Sequence, residues 1–267
     1  MHPIERLRYV ARAGGVDQTM LVRETAGALG SLGFDPAGLV TSCRRLVGRH
    51  PMAGALWTLA SRVLTAPDPM QEEWDFADEL EEDPTARELA ALIPDDAVVL
   101  VIGWPDVIPA ALVRRGDVRV LVVDAFGEGS GLCRQLDSRD VEAIDIPLTG
   151  IGAAAANCDV VLLEAAMTGP EGAVAPSSSL AIAATAKHHG VPVWMTVPVG
   201  RALPPSLWEY ATAPLRGAET WENDEDIVPV ELIDAIVGPI GMRPGDELML
   251  RCDAPLAPEL LRGPGVV

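Results

Sequence analysis

The pattern of apolar positions changes its period about one third of the way along the chain. Up to residue 94, apolar residues recur at three-and-four spacing in segments separated by Gly or Pro, which predicts helices. From residue 95 onward, short β-branched apolar runs alternate with segments of helical spacing, which is typical of a parallel sheet covered on both faces. We therefore predict an N-terminal helical domain over 1–94 and a Rossmann-like, doubly wound α/β domain with a C-terminal tail over 95–267.

The N-terminal part is predicted to consist of successive amphipathic helices. They lie in two pieces between residues 5 and 32, interrupted near Gly14 and Gly15, and then at 35–50, at 55–64, within 66–85, and through Leu89 up to Pro94. The segment 66–85 is strongly acidic, and we interpret it as a helix with a solvated acidic face. Its predicted buried stripe consists of Trp74, Phe76, Ala77 and Leu80.

The α/β part is organised around residues 158–198, which read as strand, Ser-rich turn, helix and second strand. Before this unit, strands are predicted at 97–102, 118–124 and 141–146, and helices at 106–115, 129–136 and 150–156. Parallel strands need such helical crossovers, and these are right-handed. Ligands of doubly wound sheets bind outside the carboxyl ends of the strands, so the loops there are the candidate site.

The charge balance limits the partners of the protein. The 39 acidic and 20 basic residues give a net charge of -19, which repels nucleic acids and anionic membranes. No apolar run approaches the ~20 residues of a membrane span, and the N-terminal stretch lacks the apolar core of a secretory signal. We therefore expect a cytoplasmic protein without nucleic-acid or membrane partners.

The four cysteines indicate neither a disulfide framework nor a metal centre. They stand far apart without a CxxC pair, at Cys43, Cys133, Cys158 and Cys252. Reduced thiols fit this spacing better than a zinc site does. No metal or cofactor is predicted.

Five segments between about residues 97 and 240 carry a family resemblance. They are VVLVIGWPDVIPAAL, VRVLVVDAFGEGSGL, CDVVLLEAAMTGPEGAV, AKHHGVPV and IVPVELIDAIVGPIG. Together they resemble the alpha/beta/delta subunit family of eukaryotic translation initiation factor 2B, which also contains methylthioribose-1-phosphate isomerase and ribose-1,5-bisphosphate isomerase. The resemblance implies a Rossmann-like domain through which two subunits form a homodimer.

The resemblance also implies where proton-transfer groups would stand. The isomerases of the family move a proton between C1 and C2 of a sugar phosphate, using a Cys after the first strand and an Asp in a Gly-Ala-Asp sequence. In this chain those positions are Gly103 and Ala166, and neither side chain can carry a proton. Asp106, Glu164 and Cys158 are nearby groups that could substitute if they point into the cleft.

Two stretches remain able to bind an anion, although the Arg and Lys that bind phosphate in the family are replaced here. Ser178 and Ser179 begin one predicted helix, and Gly127, Gly129 and Ser130 open another. Oriented amides at a helix N-terminus accept anions. An ordinary N-cap at the serines and a tight turn at the glycines are equally good interpretations.

Arg201 and Trp104 follow predicted strands at the same edge of the sheet. Arg201 is interpreted either as a phosphate ligand or as one half of an ion pair. Trp104 lines a pocket or covers the domain junction, and the second interpretation is slightly favoured.

These observations favour a family member that has lost the isomerase machinery and acts as a phosphorylated-metabolite-binding or assembly protein, as a homodimer or higher homo-oligomer. The alternative is an aldose–ketose isomerase of a ribose phosphate with relocated catalytic groups. A third hypothesis, a regulatory factor of translation initiation, is based on the family name alone.

Overall fold

A computed structural model describes residues 17–29 and 35–261. Five helices precede the first strand of this described part: α1 (Gln18–Leu29), α2 (Pro36–Arg49), α3 (Gly54–Thr65), α4 (Pro69–Glu81) and α5 (Thr85–Leu92). Proline occupies the first turn of α2 and of α4, where its missing N–H costs nothing. The helices predicted from residue 35 to Pro94 are therefore confirmed, whereas the piece predicted before Gly14 lies outside the described residues.

Helix α4 buries three of the four apolar residues predicted for its inner stripe. Phe76 and Ala77 are fully buried and Leu80 nearly so, but Trp74 is 39 % exposed, so its assignment to the stripe was wrong. The residue three positions before Phe76 is Glu73, and helical periodicity turns this acid inward instead of Trp74. The Trp74 indole lies against Gly27 of α1, outside the helical core.

The α/β part is built on a seven-stranded sheet. Its strands are β1 (Val98–Ile102), β2 (Arg119–Val123), β3 (Glu142–Ile146), β4 (Val160–Glu164), β7 (Val193–Thr196), β9 (Ala235–Gly238) and β10 (Gly241–Pro244). Their order is β10-β9-β7-β4-β1-β2-β3, and β10 alone runs antiparallel to its neighbour. The chain winds outward from β1 through β2 to β3 and then returns to β4 on the other side of β1. The junction of β1 and β4 is therefore the switch point at which ligands bind in such sheets.

Helices cover both faces of this sheet, as predicted. They are α6 (Ile108–Arg115), α7 (Gly129–Asp137), α8 (Ile151–Ala156) and α9 (Ser179–His189). One buried cluster joins α5, α6 and α7 to one face, and a second joins α8 and α9 to the other. The central strands are buried on both sides, which explains their continuous apolar sequences.

A second, three-stranded antiparallel sheet was not predicted. It consists of β5 (Met167–Gly169), β6 (Gly172–Pro176) and β8 (Glu225–Pro229), in the order β5-β6-β8. The core of the helical part continues into this sheet and into α10 (Pro205–Thr212), which buries Trp208. Gly169 permits this packing, because a Cβ atom there would collide with the indole of Trp208.

The described residues contain no helix that is long and apolar enough to span a membrane.

Candidate functional site

A pocket opens at the carboxyl ends of β1 and β4, at the switch point of the sheet. Its volume is about 200 Å³. Five of the residues selected from the sequence are among those that line it: Trp104, Asp106, Glu164, Ala166 and Arg201. Gln18 from α1 closes one side, so the helical part contributes to the pocket.

Glu164 is the central side chain of this pocket and is 8 % exposed. Its Oε1 accepts a hydrogen bond from the backbone N–H of Asp106 at 3.0 Å, and its Oε2 accepts from those of Val107 at 3.0 Å and Ile108 at 3.2 Å. These amides begin α6 and have no partner within the helix. Glu164 therefore caps α6 from the neighbouring strand, and both of its oxygens are engaged in doing so.

The environment raises the pKa of Glu164 to about 7. Burial is the main cause and the charge of Asp106 the second, and together they outweigh the opposing effects of Arg201 and of the amide donors. A carboxyl group with this pKa exchanges its proton near neutral pH, as a general acid or base must. Glu164 is therefore a candidate proton carrier, but its two oxygens accept hydrogen bonds from the amides at the N-terminus of α6.

Arg201 and Asp106 form an ion pair beside Glu164. The distance from Arg201 Nη2 to Asp106 Oδ2 is 2.7 Å, and Arg201 is 3 % exposed. Arg201 Nη1 donates to the carbonyl oxygen of Ala166 at 3.4 Å, and no described group accepts from its Nε. Arg201 was interpreted either as a phosphate ligand or as one half of an ion pair, and the structure has the ion pair. The charge of this arginine is largely neutralised within the protein.

Gln18 connects the helical part to this ion pair, and no pattern in the sequence marks it as a residue of the site. Its backbone N–H donates to Asp106 Oδ2 at 3.1 Å, and its Nε2 donates to the Ala166 carbonyl at 3.0 Å. Its Oε1 accepts from the N–H of Ala55 in α3 at 3.0 Å. The amide side chain therefore holds α1, α3 and the end of β4 together at the pocket.

The two positions of the isomerase residues have backbone roles. Gly103 has φ +63, a left-handed conformation that residues with side chains adopt at a cost, and its N–H donates to the Val123 carbonyl at 3.0 Å. The Ala166 carbonyl accepts from Gly54, Gln18 and Arg201. Both positions thus fix the course of the chain around the pocket.

Cys158 lies at the opposite end of the sheet from the pocket. It precedes β4, whereas Glu164 ends that strand. Burial chiefly raises the pKa of its thiol to about 11, so it stays protonated at neutral pH. As a substitute proton carrier for this site, Cys158 is excluded by its position.

Trp104 forms one wall of the pocket and is 45 % exposed. Its ring lies over the first turn of α7, where a Cβ atom on Gly131 would come within 2.7 Å of it. We favoured the interpretation that Trp104 covers the domain junction. The ring also lines the pocket, as the other interpretation expected.

The glycine-rich loop before α7 does not line the pocket. The N–H of Gly129 donates to Asp124 Oδ1 at 2.9 Å, so a carboxylate of the chain itself occupies this helix N-terminus. Gly127 has φ +78, as a tight turn requires, and Ser130 accepts a bond from Arg134 at 3.4 Å. The tight-turn interpretation describes this loop.

The N-terminus of α9 is occupied in the same way. The N–H of Leu180 donates to Asp226 Oδ2 at 3.0 Å, whereas Ser178 makes no capping bond and has φ +81. The Ser179 hydroxyl is buried without a described partner. Of the two interpretations of these serines, an ordinary N-cap does not describe the structure, because an aspartate on β8, in the unpredicted second sheet, supplies the acceptor. No cluster of three or more His, Cys, Asp or Glu in the described part could hold a metal ion.

Solved structures of translation initiation factor eIF2B proteins have the same architecture. The translation initiation factor eIF-2B of Pyrococcus horikoshii OT3 superimposes with a TM-score of 0.76 at 16 % identity, over 90 % of this chain and 96 % of that one. A chain of the tetrameric eIF2B-beta2-delta2 complex of C. thermophilum gives 0.77 at 17 % identity, over 92 % of both chains. The fold is that of an eIF2B subunit.

A third match, eIF2B beta from Chaetomium thermophilum, has a TM-score of 0.71 at 16 % identity over 92 % of this chain and 89 % of that one. No protein-family model and no curated protein matches the sequence. The resemblance noted in the sequence is thus supported by the eIF2B-like fold. The activity has to be argued from the residues of the site.

Proposed function

We propose that this eIF2B-like chain has no aldose–ketose isomerase activity and acts as a subunit of a homo-oligomeric assembly. One observation carries the proposal. At the carboxyl edge of the sheet, the side chains that transfer a proton in the isomerases are replaced. The charged groups that the structure describes there are already bonded to other groups of the chain.

The first half of this argument concerns proton transfer. Gly103 and Ala166 replace the two groups that the isomerase resemblance requires, and Cys158 lies at the far end of β4. Glu164 keeps a suitable pKa but gives its oxygens to three amides of α6. A proton acceptor needs a free lone pair within about 3 Å of the substrate proton. Catalysis by Glu164 would therefore require α6 to lose its cap.

The second half concerns phosphate. A phosphate ester carries about -1.5 to -2 charges at neutral pH. In the pocket it would meet the carboxylates of Asp106 and Glu164, and the single buried cation, Arg201, is already paired. The loops of α7 and α9 offer no better site, because Asp124 and Asp226 occupy their N-termini. These contacts oppose a phosphorylated ligand.

Self-association is supported by large apolar side chains that are exposed in the isolated chain. Ile240 in the β9–β10 turn is 72 % exposed, and Leu250, which ends the following turn of 3₁₀ helix, is 81 % exposed. One structural neighbour was solved as a tetrameric eIF2B-beta2-delta2 complex, which is a property of that protein. A contact with a second copy that covers these side chains would remove their apolar surface from water, which stabilises association.

Two measurements test the proposal. Light scattering after size-exclusion chromatography should give a mass that is a multiple of 28.2 kDa at micromolar concentration, and a strictly monomeric chain would contradict the assembly role. Ribose 1,5-bisphosphate and methylthioribose 1-phosphate should remain unconverted. A thermal-shift panel of sugar and nucleoside phosphates should be flat, whereas a ligand at 100 times its Kd would add about 2.7 kcal/mol.

The second candidate is an isomerase that uses relocated groups, and the pKa of Glu164 near 7 favours it. Turnover of a ribose phosphate that disappears in Glu164→Gln would establish this activity, provided that circular dichroism finds the variant folded. Asp106→Asn serves as the second variant, because Asp106 lines the same pocket and its substitution leaves Glu164 in place to accept from the amides of α6. Activity in both variants would point to another protein in the preparation.

A further inference from the structure

A second pocket lies in the helical part, away from the switch point of the sheet. It is formed between α2, α3, α10 and the 3₁₀ turn Pro258–Leu261, and its volume is about 220 Å³. It shares no lining residue with the Glu164 pocket. Much of its wall is apolar, including Val47, Trp57 and Leu260. An apolar cavity with a few polar groups is the usual form of a small-molecule site.

Two polar side chains of this pocket have unused hydrogen-bonding capacity. Arg44 Nε donates to the Glu259 carbonyl at 2.7 Å, which fixes the guanidinium group, while its Nη atoms donate to no described residue. The Tyr210 hydroxyl has no partner in residues 17–29 and 35–261 either, and its ring packs edge-on against Trp57 at 6.1 Å. An anchored arginine with free Nη atoms is suited to a carboxylate, which it binds through two parallel bonds.

Helix α2 carries three arginines at this pocket or next to it, although the protein has a net charge of -19. Arg44, Arg45 and Arg49 lie within one and a half turns of α2, and none of them forms an ion pair with an acid of the described part. Arg62 on α3 is the contrast, since it pairs with Glu72 at 2.5 Å and Glu79 at 2.6 Å. Unpaired arginines concentrated beside one cavity give it a local positive potential.

We propose that this pocket binds a small amphiphilic anion, a carboxylate attached to one aromatic ring or a short aliphatic chain. The carboxylate accepts hydrogen bonds from Arg44 and Tyr210, and the apolar body lies against Trp57. The volume of about 220 Å³ is below the roughly 300–1,000 Å³ of pockets for drug-sized ligands, so the ligand is small. The proposal concerns a different site from that of the proposed function and stands independently of it.

Calorimetric titration of the full chain with phenylacetate and with phenylacetamide tests the role of charge. The two probes have nearly the same shape, and we expect the carboxylate to bind at least tenfold more tightly. In Arg44→Gln this preference should disappear. Arg45→Gln is the matched control, because it removes the same charge from the next residue of α2, which does not line the pocket. It should change the affinity by less than threefold at 0.15 M salt.

Gly48→Leu tests the position of the site. Gly48 lies on α2 and lines the pocket, and a Cβ atom there would meet nothing within 4 Å. Leucine also favours a helix more than glycine does, so the variant should fold with an unchanged or higher Tm. We expect it to lose phenylacetate binding. Equal affinity for both probes, equal effects of the Arg44 and Arg45 substitutions, undiminished binding in Gly48→Leu, or no binding by the wild type would each overturn the proposal.

Discussion

Glu73 offers a direct measurement of the cost of a buried acid in the helical part. The side chain is 2 % exposed, and its Oε1 has no hydrogen-bond partner among the described residues. Burial raises its pKa from the ordinary 4.5 to about 7. The folded protein therefore binds a proton at Glu73 more tightly than the unfolded chain does. The free energy of unfolding should fall as the pH rises from 4.5 through 7 and stay low above that.

The size of the effect follows from the same values. A rise of the pKa from 4.5 to about 7 corresponds to about 3 kcal/mol, since each pKa unit is worth about 1.4 kcal/mol. Replacement by Gln removes the charge and keeps the shape, so Glu73→Gln should recover most of this energy at pH 8. At pH 5.5 Glu73 is largely protonated in the folded wild type, and its burial then lowers the free energy of unfolding by only about 1 kcal/mol.

Urea unfolding of wild type and Glu73→Gln at pH 5.5 and pH 8 measures this difference. The variant's advantage should grow by about 2 kcal/mol between the two values. Lower pH is unsuitable, because the pI of about 4.5 promotes association. Glu209→Gln is the control, since this exposed acid has no ion-pair partner in the described part, and its effect should be the same at both pH values. An advantage of Glu73→Gln that does not change with pH would refute the reasoning.

Three further substitutions test contacts around the pocket and the second sheet, each by urea unfolding at pH 7.5. Arg201→Met leaves the half-buried Asp106 carboxylate without its cation and should cost about 3 kcal/mol, whereas a cost below 1 kcal/mol would mean that the ion pair is not structural. Gly169→Ala places a methyl group against the indole of Trp208 and should cost about 1–3 kcal/mol, whereas Gly48→Ala, which enters open space, should cost nothing. Asp226→Asn weakens the charge at the N-terminus of α9 and should cost about 1 kcal/mol, and an unchanged midpoint would contradict its capping role.

Most of the fold could be predicted, because its periodic elements report directly on burial. The strands β1, β2, β4 and β7 are mainly apolar runs between turn residues, and the helices between the strands carry three-and-four spacing. The second sheet escaped prediction for a physical reason. Strand β5 has three residues, too few to display a period of two, and β6 begins with Gly172 and ends with Pro176, residues that are typical of turns. Trp74 was misassigned because an acid, Glu73, takes the inward position next to it.

The pocket residues that stand at or after strand ends could be predicted from the sequence. Those that reach the pocket only through tertiary contacts could not. Glu164, Asp106 and Arg201 follow strands that end at one edge of the sheet, and the structure brings them into one pocket. Gln18 comes from a helix 88 residues away from Asp106, and no local pattern marks its three hydrogen bonds. The capping role of Asp226 likewise depends on the pairing of β8 with β6.

Three helices at the carboxyl edge of the sheet have the same arrangement at their N-termini. The amides of α6, α7 and α9 donate to Glu164, Asp124 and Asp226, each of which lies on or directly after a strand. In a doubly wound sheet these amides are the natural binding groups for phosphate. Here carboxylates of the chain already accept those bonds, so the helix N-termini are stable without a ligand. A phosphate could bind these amides only by displacing a carboxylate that is part of the chain. The N-termini of these three helices are therefore stabilised within the chain itself, which agrees with the proposal that the chain acts in an assembly and not on a phosphorylated ligand.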